Sequence, residues 1–136
     1  MLKLIIGVKG TGKTKQLIEM VNEALLTSKG DVVCVEKGDK LRFDVKYQCR
    51  LIDTESYGVF GAEALYGFVA GILASNHDVT DLYIDSALKI CDNDTAAFDG
   101  FLEKLGGYAK TSDVNFVITS SLDVNEVSDT VKKYMI

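Results

Sequence analysis

Gly7-Val8-Lys9-Gly10-Thr11-Gly12-Lys13-Thr14 lies between an apolar run at residues 2–6 and a segment, 13–28, in which Leu17, Ile18, Val21 and Leu25 recur on one helical face. The order is therefore strand, tight loop, helix. A loop so placed aims several backbone N–H groups at one point, where the helix dipole also favours negative charge. Gly7, Gly10 and Gly12 permit the backbone conformations of such a nest, while Lys13 is carried to the β- and γ-phosphate oxygens of a nucleotide and Thr14 to a magnesium ion. Val8, Lys9, Thr11 and Lys15 complete the expected nucleotide-binding set, with Lys9 and Lys15 as solvated positive charge beside it. The competing reading is a glycine-rich turn that merely starts a helix.

Outward from the loop, residues 31–35 read as a second buried strand, preceded by Gly30, which is expected to stop the first helix in a left-handed conformation. Residues 36–57 mix charges with Leu41, Phe43, Val45 and Tyr47, an excursion with one short strand at 49–52. A mostly apolar helix is predicted over 60–75, where Gly67 and Gly71 are spaced to let it approach its sheet closely. Residues 81–85 form a strand closing on Asp85. Then come a helix over 94–108, capped by Asn93 or Asp94 and shortened by Gly106 and Gly107, and a last strand at 114–119. Asp123 and Glu126 stand in capping-box spacing before a terminal helix. Strands alternating with helices predict one α/β domain over residues 1–136, in three αβα layers around a mainly parallel sheet of about 4–5 strands.

The formal net charge of −5, with no lysine run longer than two, argues against nucleic acid as the main partner. Leu4-Ile5-Ile6 is far too short for a secretory core, and no later segment approaches a membrane span, so a cytoplasmic protein is expected. Cys34, Cys49 and Cys91 have no metal-ligand spacing and read as reduced structural thiols. His77 reads as a turn residue. Arg42 and Arg50 read as surface or ion-paired residues, the alternative being an arginine finger acting on a neighbouring copy.

The loop and the strand that ends at Asp85 together resemble the P-loop NTPases. Gly7 to Thr14 is similar to their Walker A motif, and Leu82-Tyr83-Ile84-Asp85 to their Walker B strand. The resemblance implies the P-loop NTPase fold, ATP or another NTP as ligand, and Mg²⁺ held by Thr14 and, through water, by Asp85. Residues 114–119 are similar to the additional strand that, in the division containing RecA-like and AAA ATPases, lies between the two Walker strands. That likeness implies that Thr119 and Ser120, with Ser121, act as a sensor of the γ-phosphate or the attacking water. The chain as a whole resembles small stand-alone bacterial ATP-binding proteins of this superfamily.

Hydrolysis needs a group that orients or deprotonates water besides the electrostatic clamp supplied by Lys13. Many relatives place a glutamate directly after the Walker B aspartate, where this chain has Ser86. Glu36 is the substitute, at the carboxyl end of the second strand, where RecA-like ATPases and deoxynucleoside kinases place a catalytic carboxylate; a solvated turn acid is the competing reading. The leading expectation is an ATP- and Mg²⁺-binding protein with slow or partner-stimulated ATPase activity, a nucleotide-dependent switch or assembly factor working with a protein partner or as a homo-oligomer. A small phosphotransferase and a non-catalytic nucleotide- or anion-binding module are the alternatives.

Overall fold

The computed structural model describes residues Met1–Ile136. Its elements run β1 (Leu2–Gly7), α1 (Lys13–Thr27), β2 (Asp31–Glu36), β3 (Arg50–Asp53), a 3-10 turn (Glu55–Tyr57), α2 (Ala62–Ser75), β4 (Val79–Ile84), α3 (Ala87–Ile90), α4 (Thr95–Lys110), β5 (Asn115–Ser121) and α5 (Asp129–Tyr134). The five strands form one sheet in the order β1-β5-β4-β2-β3, every pair parallel. The inner strands are nearly continuous apolar runs, as burial on both faces demands. β3 is a four-residue edge strand beginning at the exposed Arg50, a short charged edge that resists pairing with other chains.

Period-two alternation sorts the apolar side chains to the two faces. Leu4, Val33, Val35, Leu82, Ile84, Phe116 and Ile118 share a core with residues of α2, α3, α4 and α5. Ile5, Val32, Cys34, Tyr83 and Val117 share the opposite core with α1. Leu17 and Val21 of α1 are fully buried there, and each such burial is worth about 1.5–3 kcal/mol. The same face is completed by the excursion after β2, which tucks Leu41, Val45 and Cys49 inward at every fourth residue. By this parity Thr119 and Asp85 point to the α1 face and Ser120 to the other. No helix is long and apolar enough to cross a membrane.

Several local expectations are corrected by tertiary contacts. Gly30 is not left-handed; a side chain there would run into the Asp78 carbonyl and the Thr80 methyl, so close approach is what demands glycine. Gly106 does not end α4, which continues to Lys110; it is glycine because the Tyr134 ring lies where a Cβ would stand. Gly67 and Gly71 do not bring α2 close to the sheet, since a Cβ at either would meet only open space. Asp94 caps α4, accepting from the Ala97 N–H at 3.0 Å. The cap of α5 is Ser128, accepting from the Val131 N–H at 3.1 Å, in place of the Asp123–Glu126 box. The one-turn α3, which periodicity over four residues could not reveal, follows β4 directly.

Candidate functional site

A cavity of about 540 Å³ opens at the carboxyl ends of the strands, the end of a parallel α/β sheet where loops and helix starts converge. Six lysines and four carboxylates line it, with Leu41 as the one apolar residue, in a chain whose overall charge is −5. The cavity is thus locally cationic and polar, suited to an anion.

The loop from β1 to α1 forms one wall. Gly10 (φ 86°) and Gly12 (φ 83°) are left-handed, a conformation that disfavours any side chain. Thr11 Oγ1 and Lys13 Nζ both donate to the Val8 carbonyl, at 2.7 and 2.9 Å, which ties the loop on itself. A Cβ at Gly7 would collide with the Thr11 hydroxyl. No side chain caps the start of α1, and its first turn holds no acid. It carries Lys13 and Lys15 instead, cations where the helix dipole disfavours them. Desolvation holds the Lys13 ammonium below its ordinary pKa; the Asp85 carboxylate opposes this, and the Lys89 charge adds to it.

Thr14 and Asp85, distant in sequence, meet beneath Lys13, with the Thr14 hydroxyl 3.1 and 3.3 Å from the two carboxylate oxygens. Asp85 is held by Thr119, whose hydroxyl donates to Oδ1 at 2.7 Å and accepts from the Ser86 N–H at 2.8 Å. Ser120 is fully buried on the other side, accepting from the Leu88 N–H at 3.3 Å. Neither Thr119 nor Ser120 lies on the cavity wall; Ser121 does. Strand parity gives each a protein partner, Asp85 for Thr119 and the start of α3 for Ser120.

Lys9, Gly10, Gly12 and Lys15 line the cavity beside Lys13 and Thr14, whereas Gly7, Val8 and Thr11 line a separate groove of about 400 Å³ on the far flank of the loop, with Gln16, Asp123 and Val124. The Thr14–Asp85 pair offers a hydroxyl and a carboxylate to a hard cation, a set matching Mg²⁺, which keeps several waters and takes few protein ligands. No three His, Cys, Asp or Glu side chains converge as a metal cage.

The opposite wall is the turn after β2. Glu36 lines the cavity and is buried, yet both its oxygens are engaged, accepting from the Lys40 N–H at 3.0 Å and the Leu41 N–H at 3.1 Å. Burial raises its pKa, the two N–H groups oppose the rise, and the charges of Asp85 and Asp53 reinforce it. Asp53, its register partner on β3, accepts from the Gly38 N–H at 2.7 Å and the Glu55 N–H at 2.9 Å, which pulls its pKa down. Glu36 is thus not a solvated turn acid but a buried carboxylate on the cavity wall with both oxygens engaged. Together the two carboxylates staple the turn that presents Lys37 and Lys40.

Lys89 and Asp53 are not among the residues expected from the sequence, whereas Ser121, expected together with Thr119 and Ser120, does line the cavity. Lys89 had a local signal, being the single charge within Ala87-Leu88-Lys89-Ile90-Cys91 just past a strand end. Arg42 and Arg50 sit in surface ion pairs with Asp39 (3.6 Å) and Asp31 (3.7 Å). The three cysteines are buried and unpaired with one another, and burial raises every thiol pKa, those of Cys49 and Cys91 to about 12.

The fold and site therefore define a parallel α/β protein with one cationic cavity at the carboxyl end of its sheet. No family model matches the chain, and no curated protein matches it significantly.

Proposed function

We propose that the chain binds a nucleoside triphosphate with Mg²⁺, ATP by resemblance, as a P-loop protein with slow or partner-stimulated hydrolysis. The observation that carries this reading is the start of α1: an uncapped first turn bearing Lys13 and Lys15, opening on a cavity with Thr14 and Asp85 in contact. A helix start whose N–H groups have no side-chain cap and whose neighbours are cations is unfavourable by itself and is relieved by an anion. The hydroxyl–carboxylate pair below supplies what Mg²⁺ accompanying that anion requires. The position of β5 between β1 and β4 also supports kinship with RecA-like and AAA ATPases.

Mg²⁺, held by Thr14 and Asp85, would neutralise part of the phosphate charge. Lys13 would leave the Val8 carbonyl for the phosphate oxygens, and the first-turn N–H groups would orient them. Ser86 and Thr119 supply no base, and Glu36 already accepts two backbone N–H bonds. This favours binding with modest turnover, in a switch or assembly factor, over a phosphotransferase that uses Glu36 to deprotonate an acceptor.

Calorimetric titration of the full chain with Mg-ATP tests the reading. Lys13→Ala removes a charge-assisted bond worth about 1.5–3 kcal/mol, so affinity should fall roughly 10- to 100-fold. Unchanged affinity in that variant defeats the proposal.

A further inference from the structure

Lys89 is the only exposed residue of α3, flanked by the buried Ala87, Leu88 and Ile90. It lines the same cavity as Lys13, Thr14 and Asp85, and it forms no ion pair. Its position is built with care. Ser86 turns the chain sharply after β4 in a left-handed conformation (φ 54°) that a non-glycine residue rarely adopts. The Thr119 hydroxyl fixes the Ser86 N–H, the Ser120 hydroxyl accepts from the Leu88 N–H, and the Ile90 carbonyl accepts from the Gly61 N–H at 2.8 Å. Two adjacent hydroxyls of β5 thus fix both Asp85 and the turn that carries Lys89.

Lys13 and Lys89 approach the cavity from different elements, one from α1 after β1 and the other from α3 after β4. Two strand spacings, about 10 Å, separate those roots. A short anion held at the loop would meet Lys13 first, and a longer phosphate chain running toward the end of β4 would enter the part of the cavity that Asp85 and Lys89 line.

Resting on the nucleotide-binding reading above, we infer that Lys89 reads the terminal phosphate and is the residue that makes the site prefer a nucleoside triphosphate to a diphosphate. Its role is specificity, distinct from the general phosphate binding of Lys13. The test is calorimetric titration of Mg-ATP and Mg-ADP against wild type, Lys89→Ala, Lys89→Arg and Lys13→Ala. Lys89 is exposed, so its variants should melt with the wild type. Lys89→Ala should lose roughly 10- to 100-fold in ATP affinity while ADP affinity stays within about threefold, and Lys89→Arg should restore most of the difference. An equal loss for both nucleotides, or no loss for either, overturns the role of Lys89, and the site itself stands if Lys13→Ala still weakens both. Unchanged ATP binding in Lys13→Ala overturns the site and this inference with it.

Discussion

Two turns at the same end of the sheet invite comparison, the one after β1 and the one after β2. Each follows a buried parallel strand, contains left-handed glycine (Gly10 and Gly12 in one, Gly38 in the other) and presents lysines to the shared cavity. They differ in what their backbone N–H groups meet. In the turn after β2, Gly38, Lys40 and Leu41 donate to the carboxylates of Asp53 and Glu36. In the turn after β1, no carboxylate or other side chain caps the helix that follows. A glycine-rich turn with nearby lysines is therefore not enough to define an anion site. What the proposed anion site needs is a set of donors without partners in the chain: the helix start after the first turn has no side-chain cap, whereas the donors of the second turn are engaged.

The largest expected effect breaks the symmetry directly. If the donors of the first turn are reserved for the proposed triphosphate, saturating Mg-ATP should stabilise the fold by about 4 kcal/mol at a thousandfold excess over Kd. Amide exchange should slow at residues 13–15 and stay unchanged at Gly38, Lys40 and Leu41, whose partners are already in place. Protection appearing only in the second turn would invert the assignment of the two turns.

Next in size is the conversion of the filled turn into an empty one. Glu36→Ala leaves the Lys40 and Leu41 donors without their partner, and an unpaired buried donor costs about 1–3 kcal/mol. Relief of the buried charge offsets part of this, so a net loss of about 2–3 kcal/mol is expected in urea denaturation. The loosened turn should also uncover Cys34 and Cys49, which pack with Leu41 and Val45, while Cys91 on the other face stays protected. Thiol labelling that reaches all three cysteines together, or none of them, contradicts this account of the turn.

The same contrast explains what was legible in the sequence. The first strand, its loop and its helix were readable because their signals are local: apolar runs, glycine spacing and a helical repeat within a few residues. Asp85 was readable as an acid at a strand end. The staple on the second turn was not, because Asp53 grips Gly38 across the intervening excursion, and Glu36 looks the same in sequence whether its oxygens are free or engaged. The partners of Thr119 and Ser120 are equally illegible in sequence, since their faces are set by register against Asp85 and α3. Gly30 and Gly106 carry no local sign of their role for a related reason. Each is glycine because a distant segment, Asp78–Thr80 or Tyr134, occupies the space of a side chain.

The smallest effect is in pH, and the two staples should respond with opposite sign. Burial raises the Glu36 pKa above its ordinary value of 4.5. Its contribution to stability is therefore fully present below that value and is lost as pH rises through the raised, folded-state value. Asp53 is held below its ordinary 3.8, first by the Gly38 N–H. Its contribution is present above 3.8 and is lost as pH falls through the lowered value. Stability measured in urea for wild type relative to Glu36→Gln should therefore increase as pH drops from neutral toward the ordinary glutamate range, because the folded wild type takes up its proton first. Relative to Asp53→Asn, the wild-type advantage should hold over that interval and shrink only in stronger acid. A Glu36→Gln difference that stays flat with pH means that the carboxylate is not desolvated, and the two turns would then differ in their hydrogen bonds alone.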